Sequence, residues 1–149
     1  MLKGDTFITI KTDKQNTEIN TSIESLYNAI QDKEFLISSG DILVPCTIER
    51  VEVKEAQVYL LSLGQRFLEA TPDTATSTLK GVKMLKDIKD TDLIEIYDES
   101  SIDFAGSAKG YSSIHCIECK KSAFTGYLYK LKTNHHSSVN LYNGMYVET

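Results

Sequence analysis

The stretch NGMYVET, Asn143 to Thr149, closes the sequence on an alternating run that begins at Tyr127. Asn143-Gly144 reads as the type I′ turn of a hairpin joining Ser138–Tyr142 to Met145–Glu148. At the opposite end, MLKGDTFITI, Met1 to Ile10, passes through Gly4-Asp5-Thr6 into a second alternating run over Asp5–Thr12. There Phe7, Thr9 and Lys11 share one side and Ile8 and Ile10 the other, the signature of a half-buried strand. Both extremities are therefore expected to lie on strands.

Between them the chain is built from more of the same. A polar stretch carries a hairpin turn at Asp13 to Asn16, and Thr21 stands three residues before Glu24, a capping-box spacing. With Ile23, Leu26 and Ile30 at helical intervals, this predicts a short helix over Ser22–Gln31. Strands are expected over Ile42–Val51, Ala56–Leu63 and Arg66–Ala70, with Gly64 at the tight turn between the last two. Val82, Leu85 and Ile88 share a helical turn, and Leu93 to Tyr97 alternates as a strand. The small, polar stretch Asp98 to Ser113 reads as a mobile loop. Two more strands, Ile114–Lys120 and Gly126–Thr133, precede the closing pair. Short strands with turn chemistry between them predict a mostly-β fold with one or two short helices.

Composition narrows the function. At 149 residues the chain is the size of one domain, able to bury about two thirds of its unfolded surface. A net charge of −5 and a pI near 5.2 come from scattered acidic residues, with no Lys/Arg block to track a phosphate backbone, so nucleic acid is not an expected partner. No secretory pattern opens the sequence, and no apolar run approaches the ~20 residues of a bilayer span. The expectation is a cytoplasmic protein without membrane contact. Three cysteines, Cys46, Cys116 and Cys119, do not make a disulfide framework and fit a reducing compartment.

The order of segments resembles an intein or, more broadly, a Hint (hedgehog/intein) domain, and the likeness runs from residue 1 to 149. Gly4-Asp5-Thr6 followed by ITI is similar to the family's first motif, which puts Met1 at the position of the nucleophilic Cys or Ser. ATPDTATST, Ala70 to Thr78, is similar to the second motif, Thr-x-x-His: Thr71 matches its Thr, Pro72-Asp73 fill the gap, and Thr74 occupies the His position. Asp92 takes the place of an acidic residue ahead of the next strand. The last 24 residues, GYLYKLKTNHHSSVNLYNGMYVET, resemble the paired closing motifs. Asn143, Gly144 and Val147 match; Glu148 and Thr149 stand where the family has His and Asn; Lys130 stands where many members have Asp.

The resemblance implies a horseshoe of antiparallel strands whose two ends meet, one domain over residues 1–149, and no homing-endonuclease insert, since Asp98 to Ser113 is too brief to hold one. It also implies what chemistry to look for. Splicing begins when the first side chain attacks its own peptide bond, which needs a thiol or hydroxyl; the Met1 thioether has no proton to lose. The His of the second motif protonates the leaving nitrogen, and a Thr74 hydroxyl is too weak an acid for that work. The terminal Asn cyclises, and Thr149 has no carboxamide. Glu148 retains a group able to move protons. If Met1 is also the initiator, no upstream segment exists to be transferred.

The leading expectation is a degenerate, splice-inactive Hint domain acting as a structural or interaction module, for example in a phage protein set and so in cytoplasm or virion. It would need no cofactor, and its partners would be host or flanking protein segments. The rival expectations are a self-splicing mini-intein whose catalytic residues have been replaced, and an unrelated β-domain that binds through an edge strand.

Four further features carry a chemical and a plain reading. Cys116-x-x-Cys119, with His135-His136 downstream, has zinc-like spacing, but on a strand the two thiols point to opposite faces, so buried structural cysteines are expected and no metal. His135 and His136 are either part of a proton relay or two solvated turn residues, the latter preferred. Lys80, Lys83, Lys86 and Lys89, interleaved with Asp87, Asp90 and Asp92, read as a solvated face. The hydroxyls from Thr71 through Thr78 form either a remnant pocket or a polar β loop.

Overall fold

The structure is a computed structural model and describes residues 1–12, 15–97, 109–119, 123–134 and 138–149. Within these, the chain forms β1 (Leu2–Lys3), β2 (Phe7–Thr12), β3 (Gln15–Ser22), α1 (Ile23–Ile30), β4 (Phe35–Ser39) and β5 (Ile42–Ala56). There follow β6 (Tyr59–Ser62), β7 (Phe67–Ala70), β8 (Ala75–Thr78), β9 (Gly81–Met84), a 3-10 turn (Leu85–Asp87) and β10 (Leu93–Tyr97). The last five strands are β11 (Lys109–Ser113), β12 (Cys116–Cys119), β13 (Phe124–Lys132), β14 (Ser138–Asn140) and β15 (Tyr146–Glu148). All pairings are antiparallel. A nine-stranded sheet runs β12-β6-β7-β1-β13-β5-β4-β2-β3, a four-stranded one β11-β10-β8-β9, and β14 pairs with β15 alone.

The long strand β5 joins the two halves of the large sheet. Its first part, Ile42 to Cys46, pairs with β4, and its second, Thr47 to Ala56, with β13. Alternation explains what is buried: Ile8 and Ile10 of β2 and Phe35 and Ile37 of β4 are within 2 % of fully buried, while Phe7 is exposed. Ile48, Leu61, Leu68, Leu85, Ile94, Tyr129, Val139 and Met145 continue the same core across both sheets and the closing hairpin. No described helix is long and apolar enough to cross a membrane.

Several expectations change at the level of elements. The helix begins one residue later than the capping box proposes. Ser22, extended at φ −71° and ψ 151°, is the cap, and its Oγ accepts from the Ser25 amide at 3.1 Å. Thr21 remains in β3, opposite Ile8, where a β-branched residue suits the strand. Gln15 and Asn16 belong to β3 rather than to a turn, Thr12 pairing with Gln15; Asp13 and Lys14 lie outside the described residues. The strand expected over Ala56–Leu63 is shorter because β5 runs on to Ala56, where Glu55 takes a positive φ of 52°. Gly64 does turn the chain, at φ 91°.

Val82 is not on a helical face. It lies in β9, 54 % exposed, and only Leu85 to Asp87 coil, with Leu85 buried. Of the expected loop, Lys109 to Ser113 is a strand paired along all of β10, and 98–108 lie outside the described residues. The turn of the closing hairpin is not type I′, which needs positive φ at both central residues. Only Gly144 has it, at 89°; its amide donates to the Leu141 carbonyl at 2.9 Å and Leu141 N to Met145 O at 2.8 Å. That is a wider turn with glycine in the left-handed position next to the strand, which shortens β14 and β15 by two residues and one residue.

Candidate functional site in the terminal cleft

The first residue is positioned by three strands. Leu2 pairs with Ala70 on one side and with Tyr129 on the other, which seats Met1 at the end of β7 and beside β13. The bend that follows leaves little room beside Gly4: a Cβ there would stand 3.0 Å from both Glu24 Cβ and Tyr129 Cε2. Thr6 N closes the turn on Lys3 O at 3.1 Å.

Residues 71–74 form a second turn, with Thr74 N donating to Thr71 O at 3.0 Å. It presents two hydroxyls to the chain's first nitrogen. The Met1 amine donates to Thr71 Oγ1 at 2.6 Å and to Thr74 Oγ1 at 2.7 Å, and Thr71 N donates to Met1 O at 2.9 Å. Thr71 Oγ1 in turn donates to Asp73 Oδ1 at 2.6 Å, and this bond is the main reason that carboxyl is held below its ordinary value. Burial lowers the Met1 amine to about 6, against the pull of the Asp73 charge and with a smaller push from Lys130.

Strand β15 brings the last residues to the same place. Met1, Asp73, Thr74, Lys130, Glu148 and Thr149 all line one cleft of about 340 Å³. Glu148 Oε1 accepts from Ser138 Oγ at 2.5 Å, and Thr149 Oγ1 shares a 2.6 Å hydrogen bond with Thr133 Oγ1. Ser138 and Thr133 were not singled out in the sequence, because hydroxyls in a polar turn carry no spacing that marks them. Two larger grooves, of about 550 and 470 Å³, lie elsewhere and contain none of these residues.

The remaining sites are distributed as follows. Asn143 and Gly144 sit at the far end of the closing hairpin, away from the cleft. Thr71, Thr74, Thr76 and Thr78 are buried, and Thr76 Oγ1 donates to Tyr146 O at 2.6 Å, so the hydroxyl run is interior rather than a polar loop. Asp92 is 3 % exposed and is not part of a solvated face: it takes the Lys83 ammonium at 2.9 Å and the Lys89 amide at 2.9 Å. Cys116 and Cys119 stand on β12 at positions of opposite facing, but Cys116 is exposed and Cys119 half-buried; only Cys46 is a buried thiol, pushed up to about 12 by that burial. No group of three or more metal-ligating side chains gathers among the described residues. His135 and His136 lie outside them.

Chemically the cleft holds hydroxyls, two lysine ammonium groups, two side-chain carboxylates and a thioether. Among the described residues that line it, none carries a thiol or an imidazole. No family model matches the sequence, and no curated protein matches it. Solved structures do. A DnaB intein from Synechocystis sp. PCC 6803 superposes with a TM-score of 0.72 at 17 % identity, over 99 % of this chain and 97 % of that one. The transcription factor IIB Mvu mini-intein gives 0.78 at 15 % identity over the whole of both chains. An intein from a hyperthermophile gives 0.76 at 14 % over 99 % and 98 %. The chain therefore has the all-β Hint fold of the inteins.

Proposed function

We propose that this is a Hint domain that has lost protein splicing and serves as a structural or interaction module for the protein segments beside it. The observation that carries this reading is the lining of the terminal cleft. Met1, Thr74 and Thr149 stand around it with a thioether and two hydroxyls. None supplies the nucleophile, the acid or the carboxamide that the successive steps require. Glu148, which stands at the family's penultimate His position, is tied to Ser138. On this reading the unit is a single domain without an endonuclease insert. The test places the chain between two foreign flanking segments and incubates the precursor with thiol or hydroxylamine, which cleave any ester or thioester at residue 1. An uncut precursor is expected; a released N-terminal flank overturns the proposal.

The surrounding geometry favours one second reading, a splicing element disabled only by its substitutions. Gly4, Thr71 and Asp73 still shape the cleft around residue 1. Met1→Cys, Thr74→His, Glu148→His and Thr149→Asn, introduced together in the flanked chain, then produce joined flanks. Absence of any product or cleavage rejects it.

A further inference from the structure

A second groove, of about 470 Å³, shares no lining residue with the terminal cleft. It lies between the start of β2, the β6–β7 turn and the turn of the closing hairpin. Three aromatic side chains stand on it largely in solvent, Phe7 at 52 %, Phe67 at 53 % and Tyr142 at 60 % exposed. One exposed aromatic is ordinary; three on a single groove form a patch of the kind that marks an interaction site. Their backbones are fixed to one another. Tyr142 N donates to Phe7 O at 2.9 Å and Asn143 Nδ2 to Phe67 O at 2.9 Å.

The rim is acidic. Asp5 and Glu69 line the same groove, and the Asp5 side chain is exposed. Two basic side chains from adjoining segments are already engaged, Lys3 with Glu69 at 3.3 Å and Arg66 Nε with Asn143 O at 2.7 Å. Aromatic faces beside a carboxylate attract a cation, and a planar guanidinium stacks on such faces better than an ammonium does. The molecule uses that chemistry internally, with the Arg50 guanidinium 4.2 Å from the Tyr127 ring and 4.9 Å from that of Tyr27.

We propose that this groove docks a segment of another protein through an arginine side chain, its guanidinium stacked on the Phe7, Phe67 and Tyr142 surface and facing Asp5. A second copy of this chain is the poorer occupant, since two molecules of net charge −5 repel as they approach. The inference does not depend on whether the terminal cleft splices.

The test titrates the isotope-labelled chain with the blocked peptide Gly-Arg-Gly and, separately, with its citrulline counterpart, which keeps the shape and lacks the charge. Saturable amide shifts are expected at Asp5, Phe7, Phe67 and Tyr142, with about fivefold weaker binding for the citrulline peptide and for the variants Asp5→Asn and Phe67→Ala. Asp5→Asn changes only an exposed carboxyl, so it reports on docking even where Phe67→Ala disturbs β7. No saturable shift, or equal binding of the two peptides, overturns the proposal. So do concentration-dependent shifts at these residues without peptide, which assign the groove to a second copy.

Discussion

At the scale of single residues, Gly144 and Gly81 separate two reasons for glycine. Both take positive φ, 89° and 109°, but a Cβ on Gly144 would lie 2.2 Å from the Tyr97 carbonyl oxygen, whereas one on Gly81 would meet nothing within 4 Å. Gly81→Ala is expected to lose about 1 kcal/mol from its backbone conformation alone. Gly144→Ala adds the forced separation of β10 from the hairpin turn, at least about 2 kcal/mol more. Urea unfolding of the two variants measures the difference, and equal losses would remove the Tyr97 contact as the cause. The candidate cleft was partly legible at this scale. The family resemblance named Met1, Thr71, Asp73, Thr74, Lys130, His135, His136, Glu148 and Thr149; all but the two histidines, which lie outside the described residues, stand at or beside the cleft. Thr133 and Ser138, which hold the last two residues, had no local signal; their role exists only once β13, β14 and β15 are side by side.

At the scale of elements, the Lys83–Asp92 pair ties β9 to the turn that leads into β10. The buried Asp92 carboxylate accepts from the Lys89 amide and the Lys83 ammonium, and these bonds hold it below its ordinary value. A carboxyl depressed in the folded state adds stability above its unfolded value near 3.8, and that stability is lost as pH falls through the lower folded value. Asp92→Asn is expected to lose about 2 kcal/mol at neutral pH, and less in strong acid, where the native carboxyl is itself protonated. Thermal melts of both proteins between neutral pH and pH 2 measure the convergence; a constant gap would contradict it. The same region shows why element boundaries were harder to read than the fold class. Alternation marked β2, β10 and β13, whose faces differ in burial. It failed for β3, a polar edge strand, and for β8 and β9, where threonines fill buried positions and Val82 and Met84 face solvent. Val82, Leu85 and Ile88 at three-residue spacing imitated a helix face, and the pairing of Gly81–Met84 with Ala75–Thr78 reveals the strand.

At the scale of the whole molecule, two pairings carry the first residue into the middle of the nine-stranded sheet, and the closing hairpin returns the last residue to it. Fold class was readable because short strands and turns recur from end to end. The merging of the large sheet through β5 was not, since one strand serving two partners in succession has no signature in a local pattern. The meeting of the ends in a cleft whose described residues carry no thiol, imidazole or terminal carboxamide leads to the central proposal, that the fold persists where splicing does not. The intact mass of the unaltered chain, carried between two foreign flanking segments and followed through prolonged incubation, reads every release of a fragment, by cleavage or by ligation, at once. A single species at the precursor mass is the predicted result; a species at the mass of the joined flanks, or of the excised chain, contradicts the claim.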